Sequence, residues 1–249
     1  MKTVLITGAS SGYGRATALH FHAQGWNVVA TMRTPRPGIL PESDRLRVVA
    51  LDVTEPETIA AAFEAAGPID VLVNNAGVPS IGVFEGTSMD RVREVFETNT
   101  FGVMATTQAV LPQFRERGSG VVINVTSSVV LGHMPLSAVY KASKMAVEGF
   151  TASLSLELAP FGVQAKTVEP GACLTTNFAA SATNGTSVDE LVPAPYATWA
   201  KKTRDSFTGQ DQFTEESDVA ETVWRAAHDT TGQLRFPAGP DAVWLAQAR

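Results

Sequence analysis

Tyr140 and Lys144 are the two side chains whose types and spacing most directly suggest chemistry. They stand four positions apart in a segment, 135–159, that is predicted as one helix, so both lie on one helix face. A free phenol has a pKa of about 10, and a neighbouring ammonium lowers it by favouring the phenolate. Such a phenol could exchange a proton with a carbonyl or an alcohol. Taken alone, the pattern also fits an ordinary surface pair.

A pair of adjacent serines follows the apolar strand predicted at 120–125. Ligands in open α/β sheets bind at the carboxyl ends of strands, which is where Ser127 and Ser128 stand. Side chains alternate along a strand, so only one of the two serines can face Tyr140. A hydroxyl in that position could hydrogen-bond a substrate oxygen and stabilise negative charge that develops on it.

The N-terminus reads as a strand, a glycine-rich turn and a helix. The strand covers 3–6, and Gly8, Gly12 and Gly14 follow in the pattern G-x-x-x-G-x-G. This arrangement brings free backbone N–H groups and the positive end of a helix together, and that combination binds phosphate. The alternative is that the glycines only shape a surface loop.

The motifs together resemble the short-chain dehydrogenase/reductase family. The resemblance is carried by the run from Thr7 to Gly14 (with Tyr13 where an aliphatic residue is more usual), Asn74-Asn75-Ala76-Gly77, Asn99-Thr100-Phe101-Gly102, and Ser127 thirteen positions before Tyr140. It implies the catalytic set Asn99, Ser127, Tyr140 and Lys144. In this set Ser127 polarises the substrate oxygen and Tyr140 transfers the proton. Lys144 lowers the phenol pKa and holds the cofactor ribose, and Asn99 distorts its helix and completes a proton relay.

A dinucleotide site is the second implication of the resemblance. Asp52 and Val53 would contact adenine, Pro170 and Gly171 would flank the nicotinamide, and Thr175 would bond its carboxamide or the phosphates. The full expected cofactor set is Gly8, Ser10, Ser11, Gly12, Tyr13, Gly14, Arg33, Asp52, Val53, Asn75, Ala76, Gly77, Tyr140, Lys144, Pro170, Gly171 and Thr175.

The end of the second strand, predicted at 27–31, favours NADP over NAD. A carboxylate at this point binds the ribose 2′-OH of NAD, whereas an arginine accommodates the 2′-phosphate of NADP. The first carboxylate of the chain is Glu42, and the strand is followed by Arg33, with Arg36 nearby. A phosphate would meet Arg33 and the hydroxyls of Ser10 and Thr31. The alternative is that Arg33 is a solvated loop cation.

The composition is that of an ordinary globular chain: 249 residues, 44% hydrophobic and 18% charged, with a formal charge of −6. The negative charge argues against nucleic acid or an anionic membrane as the main partner. Cys173 is the only cysteine and excludes an internal disulfide, while the four histidines lack metal-ligand spacing, so no metal site is expected. With no apolar run of about 18 residues and a strand that begins almost at the N-terminus, a cytoplasmic protein is expected.

The predicted fold is one doubly wound (Rossmann-type) α/β domain over 1–249, with a parallel seven-stranded sheet in the order 3-2-1-4-5-6-7. Residues 90–114 are predicted as one continuous helix and 215–227 as a helix capped by Thr214. A last strand at 234–236 is predicted to run into a turn.

A polar segment at about 176–213 is expected to be a lid over the substrate. The residues expected near the substrate are Leu131, His133, Met134, Leu174, Phe178 and Trp199. Apart from His133 these residues are apolar, which favours a largely apolar substrate. Together with Arg33, the family resemblance implies NADPH-dependent reduction of such a ketone or aldehyde, or the reverse oxidation of the alcohol. The alternatives are an NAD-linked alcohol or sugar dehydrogenase and a non-catalytic dinucleotide sensor. The resemblance also implies a homotetramer or homodimer formed through the two long helices.

Overall fold

A computed structural model of the protein describes residues 1–173, 192–206 and 213–248. Within them, seven parallel strands form one sheet. The strands are β1 (Thr3–Ile6), β2 (Asn27–Met32), β3 (Leu46–Ala50), β4 (Val71–Asn74), β5 (Gly120–Val125), β6 (Val163–Pro170) and β7 (Arg235–Ala238). Their order across the sheet is β3-β2-β1-β4-β5-β6-β7, which confirms the predicted topology.

Helices cover both faces of this sheet. The α-helices of the described residues are α1 (Gly12–Ala23), α2 (Pro56–Ala66), α3 (Met89–Phe96), α4 (Gly102–Arg117), α5 (Ala138–Leu158), α6 (Ala197–Ser206), α7 (Glu216–His228) and α8 (Pro240–Gln247). Because side chains alternate along a strand, Val4 and Ile6 of β1 join the core beneath α1 and α7, while Leu5 joins the core beneath α4 and α5.

The long helix predicted at 90–114 is interrupted. A π-helical turn, Glu97–Phe101, separates α3 from α4, and α4 continues to Arg117. This turn contains Asn99, so the distortion of the helix that the family resemblance implied is confirmed. Single π-helical turns inside α-helices are frequent at functional sites.

Three other predicted element boundaries are wrong. Helix α5 begins at Ala138 rather than at residue 135, because Leu136 has a φ of 60° that no α-helix accommodates. Thr214 does not cap α7. Its hydroxyl donates to Ala238 O (3.2 Å) and to Asp241, and Glu215 is the N-cap, in a capping box with Asp218.

The third wrong boundary lies at the end of the chain. Strand β7 extends through Ala238, and helix α8 follows where the sequence predicted only a turn. Pro240 at the first helical position and Asp241 in the first turn are the signals for this helix start.

A tight contact between Gly120 at the start of β5 and the buried Phe114 ring gives a stability prediction. A Cβ on Gly120 would lie 2.2 Å from the nearest ring carbon of Phe114. We expect Gly120→Ala to lower the free energy of unfolding by about 1–3 kcal/mol, because overpacking forces the core to shift. Chemical denaturation measures the change.

The matched control is Gly149→Ala in the middle of α5, where nothing lies within 4 Å of the added Cβ. This substitution should raise stability by about 0.5–1 kcal/mol, since glycine is unfavourable in a helix interior. Equal changes in the free energy of unfolding for the two substitutions would contradict the described packing of Phe114.

Candidate active site

Tyr140 and Lys144 lie together inside the protein on α5. Tyr140 is 7% exposed and Lys144 is 4% exposed, and the lysine Nζ lies 5.9 Å from the centroid of the tyrosine ring. The Nζ donates a hydrogen bond to Val125 O at the end of β5 (2.9 Å). The pair is therefore an interior feature anchored to the sheet, which removes the surface-pair alternative.

Burial moves both proton affinities away from their usual values. It lowers the pKa of Lys144 to about 8, an effect that the Glu148 carboxylate opposes. It raises the pKa of the Tyr140 phenol, and a hydrogen bond to the Ser127 side chain acts in the opposite direction. The expectation of a net lowered pKa for this phenol is therefore wrong, because desolvation of the phenolate is the largest effect on it.

Ser127 is the serine that faces Tyr140, as the family spacing implied. It follows β5 with an extended backbone, and its Oγ accepts a hydrogen bond from Val129 N (3.3 Å). Ser127 is partly exposed, whereas Ser128 is buried at the start of a short 3-10 turn. The Ser127 hydroxyl thus stands beside the phenol with access to a ligand.

Asn99 lies behind this pair and is fully buried. Its Oδ1 accepts from Val78 N (2.8 Å), and its Nδ2 donates to Val78 O (2.9 Å) and to Ser143 Oγ (3.1 Å). A Cβ built on Gly77 would lie 3.2 Å from Asn99 Oδ1 and 3.5 Å from Lys144 Nζ. Asn99 therefore fixes the loop that passes directly over the lysine.

The glycine turn has the backbone that its sequence predicted. Gly8 and Gly12 have φ values of 70° and 54°, a region that favours glycine. A Cβ on Gly14 would lie 2.3 Å from Gly8 O, so the turn and α1 are in contact. Ser11 is the N-cap of α1, its side chain makes no capping hydrogen bond, and no acidic residue occupies the first turn. These features fit a phosphate group at the helix N-terminus.

Asn75 braces the glycine turn from the neighbouring strand. Its Nδ2 donates to the carbonyl oxygens of Thr7 and Gly8, both at 3.0 Å. The Thr7 hydroxyl in turn accepts from the backbone N–H groups of Asn75 and Ala76, also at 3.0 Å. The structure thus brings together the two motifs, one after β1 and one after β4, that the sequence placed 67 positions apart.

Two of the three residues expected to meet a phosphate near the end of β2 have access to solvent. Arg33 is exposed at this edge and Ser10 is partly exposed. Thr31 is fully buried, and its hydroxyl donates to Ile6 O (3.1 Å), so the expected Thr31 contact with a phosphate is wrong. At the end of β3, the Asp52 carboxylate accepts from the N–H and hydroxyl of Thr54, and Val53 is buried.

Tyr13 links the glycine turn to the segment after β6. Its hydroxyl donates to Gly171 O (3.0 Å), and Ala172 N donates to Asp241 (2.7 Å). Desolvation and the nearby Cys173 and Tyr140 raise the pKa of Tyr13. Gly171 therefore contacts Tyr13 of the glycine turn, the expected contacts of Pro170 and Gly171 with the nicotinamide stay predictions, and Thr175 lies outside the described residues.

Comparison with known proteins agrees with this geometry. The family described as short chain dehydrogenase matches residues 2–186. The chain belongs to the short-chain dehydrogenase/reductase family. It is therefore an oxidoreductase of that family.

Two curated relatives illustrate the range of the family. The chain is 36% identical to the uncharacterized oxidoreductase YusZ of Bacillus subtilis, over 96% of this chain and 89% of the relative. It is 40% identical to retinol dehydrogenase 8 of Bos taurus, over 70% of this chain and 60% of the relative. The second match thus leaves a substantial part of that relative without a counterpart.

Solved short-chain dehydrogenase/reductase structures give the same fold. A short-chain dehydrogenase from Streptomyces avermitilis superposes with a TM-score of 0.83 at 36% identity, covering 99% of this chain and 91% of that one. A serine dehydrogenase in complex with NADP+ gives 0.78 at 27% identity, covering 94% of each chain. A 3-ketoacyl-(acyl-carrier-protein) reductase from Brucella melitensis in complex with NADH gives 0.76 at 28% identity, covering 95% and 96%.

The expected substrate residues of this short-chain dehydrogenase/reductase fall into three groups. Leu131 is buried in a cluster with Tyr140, and Met134 packs against that cluster. His133 and Trp199 are exposed. Leu174 and Phe178 lie outside the described residues.

The described part of the expected lid, 192–206, contacts the loop after β4 and the segment before α5. Val192 and Ala200 of this part pack against Val83, and Leu136 contacts the same cluster. The Tyr196 hydroxyl donates to Glu85 Oε2 (2.7 Å). Helix α6 is thereby held against the loop that follows β4 and against the segment that leads into α5.

Glu148 and Asp241 are site-forming residues that sequence reasoning missed. Glu148 is 3% exposed and interacts with Lys144, and its position four residues after that lysine was a readable signal. Asp241 stands beside Gly171, but its role depends on α8, which was not predicted.

The described residues contain no group of three or more His, Cys, Asp or Glu side chains placed to hold a metal ion. Over the same residues, no helix is both long enough and apolar enough to cross a bilayer.

Asn99 gives a stability prediction for the site. We expect Asn99→Ala to lower the free energy of unfolding by about 2–4 kcal/mol, because it leaves the N–H and C=O of Val78 without partners, at about 1–3 kcal/mol each. Urea denaturation measures the loss. The comparison variant is Asn27→Ala, at the partly exposed start of β2. If both substitutions lowered the free energy of unfolding by the same small amount, the described role of Asn99 would be contradicted.

Proposed function

We propose that this protein is an NADPH-dependent carbonyl reductase/alcohol dehydrogenase that interconverts a largely apolar ketone or aldehyde and its alcohol. The observation that carries the proposal is the hydrogen-bonded Ser127–Tyr140 pair with the buried ammonium of Lys144 beside it. A tyrosine, a serine hydroxyl and a cation in this arrangement match the needs of a carbonyl that becomes an alcohol.

The roles of the catalytic residues follow from their placement. Ser127 donates a hydrogen bond to the substrate oxygen and stabilises the charge that develops there. Tyr140 gives that oxygen its proton, and Lys144 stabilises the phenolate that remains. Asn99 holds the loop above Lys144 and, with the lysine, would connect the phenol to a proton relay. Bound NADPH would supply the hydride.

The residues of the glycine turn and of the β2 edge fit NADPH. The α1 N-terminus, Ser10, Ser11 and the backbone of the turn would hold the phosphates, and Arg33 would bind the 2′-phosphate. Asp52 and Val53 would contact adenine, while Pro170, Gly171 and, beyond the described residues, Thr175 would contact the nicotinamide end. The NADP+ complex of the related serine dehydrogenase supports this choice, and the NADH complex of the related reductase supports the NAD alternative.

A largely apolar substrate is supported by the surroundings of Tyr140. Its ring packs with Val129, Val130 and Leu131 in an apolar cluster, against which Met134 is placed. A relative named retinol dehydrogenase supports an alcohol as one member of the substrate pair.

Exposed apolar side chains on the long helices support self-association of the protein. Phe101, Met145 and Leu156 are 53%, 42% and 76% exposed on the long helices α3–α4 and α5. We expect these helices to form the contact of a homodimer or homotetramer, which light scattering distinguishes from a monomer.

One assay separates this function from its alternatives. Oxidation of NADPH and of NADH is followed with a panel of aryl and aliphatic ketones. Turnover with NADPH supports the proposal, and preference for NADH supports the NAD-linked dehydrogenase. Cofactor binding without turnover of any carbonyl supports a dinucleotide sensor.

Tyr140→Phe tests the proton donor. We expect kcat to fall by about 10²–10⁴-fold, the usual contribution of a general acid or base. NADPH affinity, measured by fluorescence titration, should change by less than about threefold, since the ring and its packing remain. A variant that retains its turnover would contradict the assignment of Tyr140.

Arg33→Ala tests the cofactor preference. We expect KM for NADPH to rise by about tenfold, which is about 1.4 kcal/mol, while KM for NADH stays unchanged. Arg36→Ala is the matched control, because Arg36 is also exposed in the same loop. If both substitutions raised the KM for NADPH equally, the change would reflect the overall charge of the loop and not a specific contact of Arg33.

The pH dependence of carbonyl reduction tests Lys144. Burial lowers the pKa of Lys144 to about 8, so the ammonium is present below that pH and is lost above it. We therefore expect kcat for reduction to decline above about pH 8, approaching tenfold per pH unit. A rate that stays constant to pH 10 would show that the ammonium has no part in the reaction.

A further inference from the structure

The carboxylate of Glu148 lies inside the protein behind the proposed site. Glu148 is one turn after Lys144 on α5 and is 3% exposed. Its Oε1 accepts a hydrogen bond from the Thr126 hydroxyl (2.7 Å), and its Oε2 accepts from the Thr167 hydroxyl (3.4 Å). Buried carboxylates are costly unless they are paired, so this side chain needs compensating charges.

The Arg235 side chain approaches two buried carboxylates at this point. Arg235 Nε of β7 lies 3.2 Å from Glu148 Oε2 and 3.9 Å from Glu169 Oε1 of β6. The two carboxylates are 3% and 1% exposed, whereas the arginine is 45% exposed. Arg235 is thus the ion-pair partner of Glu148, and Lys144 is a second cation that interacts with this carboxylate.

We propose that Glu148 is a positioning residue of the site: it keeps Lys144 in its charged form and ties the strand end that carries Ser127 to the helix that carries Tyr140. The proposal rests on the proposed function, because it concerns the same catalytic groups. It adds a residue that does not contact the reacting atoms.

The tie between strand and helix is a direct hydrogen bond. Thr126 immediately precedes Ser127, and its backbone N–H donates to Val168 O (2.8 Å) in the neighbouring strand. The bond from its hydroxyl to Glu148 fixes the same residue to α5, one turn beyond Lys144. The Ser127 hydroxyl is therefore placed relative to Tyr140 by a connection that passes through Glu148.

The electrostatic role has the same geometric basis. Burial favours the neutral amine of Lys144, and the Glu148 carboxylate opposes this effect. The other charged or titratable groups described around them are Tyr140 on α5, Glu169 on β6 and Arg235 on β7, while the end of β5 and the loop at Gly77 contribute neutral atoms. Glu148 is the carboxylate in this set that shares a helix face with Lys144.

Two variants separate the charge from the hydrogen bond. Glu148→Gln removes the negative charge but keeps an oxygen that accepts from Thr126. Thr126→Val keeps the charge and the shape but removes the hydroxyl. Circular dichroism and NADPH titration of each variant establish that the fold is retained.

The first readout is the titration of Lys144 followed by NMR of protein with ¹³C-labelled lysine. The chain has six lysines, and the Lys144 signal is assigned from its loss in Lys144→Arg. We expect the Lys144 midpoint to move down by about one pH unit in Glu148→Gln and to stay in place in Thr126→Val. An unmoved midpoint in Glu148→Gln overturns the proposal, and this result does not depend on whether any carbonyl is turned over.

The second readout is the pH profile of kcat for reduction. In Glu148→Gln, we expect the decline of kcat at high pH, which is the alkaline limb of the profile, to begin at a lower pH, in step with the Lys144 midpoint. In Thr126→Val the limb should stay in place while kcat falls by about threefold to tenfold at all pH values. A Glu148→Gln enzyme with a lowered kcat and an unshifted limb would assign Glu148 a structural role only and overturn the proposal.

If the wild-type protein reduces no carbonyl, the proposed function fails, and the NMR titration alone decides whether Glu148 keeps Lys144 charged.

Discussion

The ammonium group of Lys144 lies inside the protein, where its Nζ donates to the Val125 carbonyl oxygen at 2.9 Å. A buried ammonium is unfavourable unless dipoles and opposite charges surround it, so its neighbours must be held in place. Val125 ends strand β5, Gly77 passes at close range, and Glu148 lies one turn further along α5. Each of these contacts requires a particular approach of two elements, and together they fix the position of the Tyr140 ring.

Buried polar side chains hold the strand ends in register around this ammonium. Asn75 spans from the end of β4 to the glycine turn after β1, and Asn99 spans from the π-helical turn to the loop after Asn75. Tyr13 and Asp241 then connect the glycine turn and α8 to the segment after β6. A satisfied network of this kind is rigid, because any displacement would leave a buried polar group without a partner. Rigid placement is what proton and hydride transfer require of a site.

The sequence was sufficient for the fold because apolar patterns mark the strands along the whole chain, and the family resemblance implies their order in the sheet. It was also sufficient to identify Tyr140, Lys144 and Asn99 as candidates, since short motifs carry them and the structure places them together. It could not give the direction of the Tyr140 pKa shift, because the degree of burial is a tertiary property. The start of α5 was missed for a similar reason: the positive φ of Leu136 is accompanied by a hydrogen bond from the distant Gly82 N–H to its carbonyl oxygen. Helix α8 was missed although Pro240 and Asp241 signal its start, because the preceding Pro-Ala-Gly sequence was read as a turn.

The crystal structure of the protein with NADP+ and an alcohol substrate is the most direct test of the central claim. The account predicts that the substrate oxygen lies within hydrogen-bond distance of the side-chain oxygens of both Ser127 and Tyr140. It also predicts that the nicotinamide C4 lies about 3–3.5 Å from the carbon that exchanges hydride. A nicotinamide bound away from Tyr140, or a substrate oxygen that contacts neither hydroxyl, would contradict the account.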